Sequence, residues 1–249
     1  AGRDGLAAEA ILFFSSFGVL QAQDGIIGSG FTNGWNYGSD VEGFSDIISG
    51  SYGKTDNANG TGNQYFRLVG AGTQHTITPG SDTEINTNTE LSIDAASTTN
   101  GAMYINVTNV AHNYVFKTKT AGSPYNLIVF NVEGDVRTVT QVAKDITTVY
   151  PGNAVTITAT LDGSLSTGQG VYLRYSDDGF TSSAVVEMTG SGTSYTAVIP
   201  GSVNVASAPI NYYVFTSGSG LTISHANSDW YTINFNNNSG SNYSYSVEN

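Results

Sequence analysis

The chain of 249 residues contains no cysteine. That excludes disulfides, thiolate zinc sites and a cysteine nucleophile. Charge is also scarce: Asp, Glu, Lys and Arg together make up 11% of the residues, less than half the usual share. Basic charge is scarcer still, with eight Lys and Arg against twenty Asp and Glu and a formal net charge of −12. Binding a nucleic acid requires cations that neutralise phosphates, so this balance argues for no nucleic-acid partner and disfavours an anionic membrane surface. A surface so poor in charge must be covered by Ser, Thr, Asn and Gly, as in secreted β-proteins. It suits a neutral partner such as a glycan, or a Ca2+ ion.

Catalytic motifs are missing as well. Gly53-Lys54-Thr55 has the form of the end of a phosphate loop, but that loop needs a glycine where Ile48 stands. No Gly-x-Ser-x-Gly nucleophile elbow occurs. His75, His112 and His225 lie far apart, without the spacing of metal-ligating pairs, and read as strand or loop residues. Asp177-Asp178-Gly179 follows a strand; two adjacent carboxylates at a turn tip do not face each other across a sugar as glycoside hydrolysis requires. The bland reading is a turn in which Asp and Gly supply the backbone angles. This turn and Asp56-Asn57-Ala58-Asn59-Gly60 are the two places where a calcium ion would find loop oxygens. The expectation is a non-catalytic protein with no cofactor other than, at most, calcium.

Residues 11–23, ILFFSSFGVLQAQ, are apolar and end in small and polar residues. The run is too short to cross a bilayer as a helix, so no membrane insertion is expected. It reads as the core and cleavage site of a secretory signal peptide, although only Arg3 precedes it as a cation. Residues 1–23 are thus expected to be a leader or an apolar N-terminal segment. In the second case the run would pack as a strand, even one donated to a neighbouring molecule's sheet. A secreted or cell-surface location follows.

What the chain does have is alternation. Residues 171–216 read VYLRYSDDGF, AVVEMTG, TSYTAVIPG and INYYVFTSG, four runs of strand-formers closed by turn residues. Val171, Leu173 and Tyr175 point one way, Tyr172 and Arg174 the other. AVTITATL repeats the pattern, with Val155, Ile157 and Ala159 on one face. Further strands are expected at 64–69, 74–78, 90–93, 102–107, 113–118, 127–132, 230–235 and 243–247, with long loops across 34–62 and no helix after the N-terminal run. The fold class expected is all-β: two tandem antiparallel β-sandwich, immunoglobulin-like domains, spanning 24–136 and 137–249. No Pro/Ser linker separates them, so they are expected to abut.

Aromatic residues are the lead to function, with 15 Tyr, 11 Phe and 2 Trp. Trp35 and Tyr37 stand in FTNGWNYGS and Tyr52 in SGSYGK. An exposed ring in a polar, Asn-rich setting stacks on the C–H face of a sugar while neighbouring polar groups bond its hydroxyls. Tyr172 and Tyr213 lie on the mixed faces of their strands and join Trp35, Tyr37 and Tyr52 as candidate glycan-binding residues. The competing reading is that Trp35 fills the core of the first domain. Trp230, in SDWYTINF, shares a strand face with Thr232 and Asn234, and is expected to point outward or toward the other domain.

The phrases GNQYFRLVG, AMYINVTN, NYVFKTK, VYLRYSDDGFTSSAVVEMTGSGTSYTAVIPG, INYYVFTSG and DWYTINFNNNSGSNYSYSV resemble accessory β-modules of proteins exported by the type IX secretion system. They are also similar to fibronectin-III-like and starch-binding-like sandwiches. FTNGW and the YFRLV strand resemble glycan-binding modules of starch-utilisation lipoproteins, although no lipobox cysteine is present. The resemblance implies a secreted, non-catalytic glycan-binding accessory protein, for a neutral polysaccharide such as an α-glucan. The alternative function is an extracellular fibre, stalk or adhesin subunit that self-associates through β-edges or a donated N-terminal strand.

Overall fold

The computed structural model describes residues 25–31, 34–35, 42–48, 50–70, 73–75, 81–93, 101–119, 125–206 and 209–249. The expected leader and Tyr37 lie outside the described residues. The chain is all-β, and among the described residues its strands pair antiparallel except for one short parallel pair.

The first strands are β1 (Gly25–Ile27), β2 (Glu42–Gly43), β3 (Ser45–Ile48), β4 (Ser51–Asn57), β5 (Gly62–Gly70), β6 (Thr73–His75), β7 (Thr83–Glu84), β8 (Leu91–Ile93), β9 (Met103–Val107), β10 (Asn113–Lys119) and β11 (Tyr125–Val132). They make two sheets, β2-β1-β5-β9-β7 with β6 beside β5, and β3-β4-β10-β11-β8. Alternation decides which side of each strand turns inward. Phe66 and Leu68 of β5 meet Tyr114 and Phe116 of β10 in one buried cluster. Phe31 enters this cluster from a loop, its ring edge-on to those of Phe66, Tyr114 and Phe116 at centroid distances of 5.0 to 5.7 Å. That geometry suits the quadrupoles of the rings.

The long loops expected across 34–62 are corrected in part. β3 and β4 form a hairpin, and β4 pairs with β10 along its whole length, from Ser51↔Lys119 to Asn57↔Asn113. The alternation is hidden in sequence because a packed position is a glycine. A Cβ on residue 53 would stand 2.7 Å from Lys117 Cδ, so the bare backbone there gives the lysine chain its room.

The remaining elements are β12 (Val139–Lys144), β13 (Val155–Leu161), β14 (Gln169–Ser176), β15 (Ala184–Glu187), β16 (Thr189–Ser191), β17 (Ser194–Ile199), a 3-10 turn (Gly201–Val203), β18 (Pro209–Gly218), α1 (Ser228–Tyr231), β19 (Asn234–Asn236) and β20 (Tyr243–Ser246). The sheets are β12-β13-β17-β16 and β15-β14-β18-β19, with β20 also on β18. Lettered in chain order this is A-B-E-D facing C′-C-F-G, the immunoglobulin-type arrangement. The inward residues are those the alternation picks out, including Val155, Ile157, Ala159, Val171, Leu173 and Val214.

The strand expected over 230–235 is a correction. Ser228–Tyr231 is one helical turn, and strand pairing resumes only at Asn234. A strand would send Trp230 and Tyr231 to opposite faces. The helical turn lets both pack into one cluster, their ring centroids 5.3 Å apart. They cover the outer face of β10 and β11, joining Val115, Ile128, Phe130 and Val132. Phe130 reaches into the β14-β18 sheet at Gly218, where a Cβ would stand 2.5 Å from its Cδ1. The two sheet pairs therefore meet through a packed apolar joint. The Glu133 N–H also crosses it, donating to the Thr167 carbonyl at 2.8 Å.

Candidate functional site

An open cleft lies on the outer face of the β1-β5-β9 sheet. Outward positions on β5 are those opposite the buried Phe66 and Leu68, which makes them Tyr65 and Arg67. The β5–β9 register sets Tyr104 directly across from Tyr65, with ring centroids 5.3 Å apart. Trp35 approaches from the loop after β1, beyond the Gly28↔Gly34 bridge that closes that loop. Its indole is 38% exposed, and the Arg67 guanidinium carbon sits 5.5 Å from the ring centroid. Trp35, Tyr65, Arg67, Asp82 and Ser29 line a cleft of about 520 Å3, within the usual size range for small-ligand sites.

Polar groups in this cleft are held in place. Arg67 Nε donates to the Gly101 carbonyl at 2.9 Å, and Asp82 Oδ1 accepts the Ala102 N–H at 2.8 Å. Glu84 is paired in register with Tyr104 on the parallel β7–β9 pair. Desolvation and then the Glu84 carboxylate raise the Tyr104 phenol above its ordinary pKa, so it stays a neutral donor at physiological pH. An exposed indole, two tyrosines, an anchored guanidinium and an anchored carboxylate can together stack a ring and bond its hydroxyls.

The sequence-derived site residues do not all gather here. Trp35 does, and it is not the core residue of the competing reading: Phe31, Phe66, Tyr114 and Phe116 take that place. Tyr52 is half-buried against the same core from the opposite sheet, at the Thr118 register position, away from Trp35. Tyr172 and Tyr213 are corrections. Both are buried, at 2% and 4% exposure, and offer no ring face to a ligand. Tyr172 stacks on Phe215 at 5.4 Å and donates to the Gly218 carbonyl at 3.1 Å. Tyr213 belongs to a buried hub around Arg174. The Arg174 guanidinium reaches Tyr213 Oη at 2.7 Å, Asp229 Oδ1 at 2.5 Å and Ser183 Oγ at 2.8 Å. Burial pushes the Tyr213 phenol up to about 12, against the opposing pull of Arg174.

No family model, curated protein or solved structure matches the chain.

Both stretches considered for calcium already engage carboxylate oxygens locally, the second of them at the end of β4. Asp178 accepts the Ser182 N–H at 3.0 Å and the Ser176 and Ser182 hydroxyls at 2.7 Å, which holds its pKa down to about 2. Asp56 accepts the Asn57 N–H at 2.9 Å and faces Lys54 at 3.6 Å. Among the described residues no three His, Asp or Glu side chains stand together as a metal cage, and no helix is long and apolar enough to cross a membrane. Sequence reasoning missed Tyr65, Arg67, Asp82 and Tyr104. The signal for three of them was present: alternation in GNQYFRLVG and AMYINVTN puts Tyr65, Arg67 and Tyr104 on the face opposite the apolar residues.

Proposed function

We propose that the chain is a secreted, non-catalytic glycan-binding accessory protein that holds a neutral polysaccharide, such as an α-glucan, against the face around Trp35. The observation that carries this reading is the exposed Trp35 indole at a cleft whose other walls are Tyr65, Arg67 and Asp82. A sugar presents apolar C–H bonds on one face and hydroxyls at its rim. The indole matches the first, and the anchored Arg67 and Asp82 match the second. Neutrality of the ligand follows from charge. Asp82 and Glu84 flank the face, the chain carries a net −12, and Arg67 is already engaged with Gly101 and the Trp35 ring.

A glycan array run with the full chain tests the reading. It is supported by binding to neutral glucans that survives moderate salt and is competed by soluble oligosaccharide. A folded protein that binds no neutral glycan on the array removes it.

A further inference from the structure

The strongest anomaly outside that face is Lys117. Its side chain has no exposed surface, and among the described residues its Nζ has no hydrogen-bond partner. Buried amines without a partner are rare because desolvating them is costly. Lys117 forms part of the wall of a cleft of about 320 Å3 between the β3-β4-β10 face and Ile233. Ser45 and Thr55 bring hydroxyl-bearing side chains to this cleft, and Ile47, Val115 and Ile233 make it apolar. Gly53 leaves the space across which the lysine chain lies. The charges that reach the amine are Asp46 on β3 and Asp229 on α1. Both are negative, so the site disfavours an anionic ligand. They also favour the ammonium form, yet burial outweighs them and lowers the Lys117 pKa to about 7. A large share of the group is therefore free amine at neutral pH, and a desolvated free amine is a nucleophile toward carbonyl carbon.

We propose that Lys117 is a covalent carbonyl-capture site that takes small, uncharged aliphatic aldehydes as imines. The Nζ lone pair attacks the aldehyde carbon, the carbonyl π electrons move to oxygen, and a proton passes from nitrogen to that oxygen. The resulting carbinolamine loses its hydroxyl and the second nitrogen proton as one water. The C–O bond breaks, the C=N bond forms, and nothing is oxidised or reduced. The apolar walls accept the alkyl tail, and Ser45 and Thr55, which line the same cleft, offer hydroxyls to the carbonyl oxygen.

The test is to incubate the full chain with butanal and cyanoborohydride at neutral pH and to follow alkylation of each lysine by peptide mass spectrometry. The reductant serves only to trap the imine. Lys119 and Lys144 are the internal comparison, and Lys54, which lines the same cleft, is followed beside them; the chain has no other lysines. The lowered pKa gives Lys117 a large free-amine share at neutral pH, so even with slowed access it should react about ten-fold faster or more than a lysine of ordinary pKa. That lead should vanish in guanidinium chloride, where all four lysines become equivalent, and Lys117→Arg should remove the fast phase. Alkylation of Lys117 no faster than Lys119 and Lys144 in the folded chain overturns the proposal. So does a lead that persists after unfolding.

Discussion

The chain's two tryptophans sit beside cations and have opposite fates. Trp35 has Arg67 at 5.5 Å from its ring centroid and is 38% exposed at an open cleft. Trp230 has Lys119 Nζ at 3.8 Å from its centroid and is 3% exposed in the joint between the sheet pairs. The same contrast separates two tyrosine-bearing sheet faces. Tyr65 and Tyr104 line the outside of the first sheet pair, whereas Tyr172 and Tyr213 are enclosed with Phe215, Ile48, Phe180 and Phe235. An aromatic strand face stays open only where no other described segment folds over it. In the second sheet pair, the stretch from Leu221 to Phe235 does fold over, and it converts aromatic faces into joint.

The comparison breaks most visibly at Trp230. Trp230→Ala should cost about 3–5 kcal/mol of unfolding free energy, because it opens a cavity in a packed joint. Denaturant melts would show it, while retention on polysaccharide by the remaining folded protein should be unchanged. The next largest effect is a pH dependence at the same joint. Lys117 binds its proton less tightly folded, with a pKa of about 7, than unfolded, near 10.5. The unfolded chain therefore carries more protons between those values. Stability should rise with pH across that window and fall as pH drops through it, by roughly 1.4 kcal/mol per pH unit. Asp46 and Asp229 are the carboxylates acting on it. The melts should stay below pH 10, since Tyr172, Tyr212, Tyr213 and Tyr245 are raised to about 12 and withdraw stability above their unfolded value. Lys117→Met should flatten the slope, and a slope that survives it would assign the effect elsewhere. A smaller loss, about 1 kcal/mol, is expected for Tyr213→Phe, which removes a buried hydroxyl from the Arg174 hub. Glycan retention by that variant should match the parent, which would place Tyr213 in the scaffold.

Much of this was legible in the sequence. Strands over 113–118 and 127–132 were readable because both are dense in β-forming apolar residues and hold no glycine, and β10 and β11 extend them by a residue or two. The inward set Val155, Ile157 and Ala159 was legible for the same reason. The β3-β4 hairpin was not, because Gly53 replaces a packed side chain and Ser, Asp and Asn mimic loop composition. Nor was the fate of Tyr172. Alternation gives the direction it points, but its burial depends on residues some 50 positions later that return across the sheet. The Trp35 face was half legible. The indole stood out in FTNGW, while its partners Tyr65, Arg67 and Tyr104 come together only through the β5–β9 register.

The central claim is that Trp35 is a binding residue and Trp230 a structural one. Trp35→Ala, measured in parallel for retention on an insoluble α-glucan and for melting, tests it most directly. Retention should be lost while stability changes by no more than about 1 kcal/mol, the worth of an exposed cation–π contact. Loss of retention together with a collapse in melting temperature, or full retention without the indole, would contradict it.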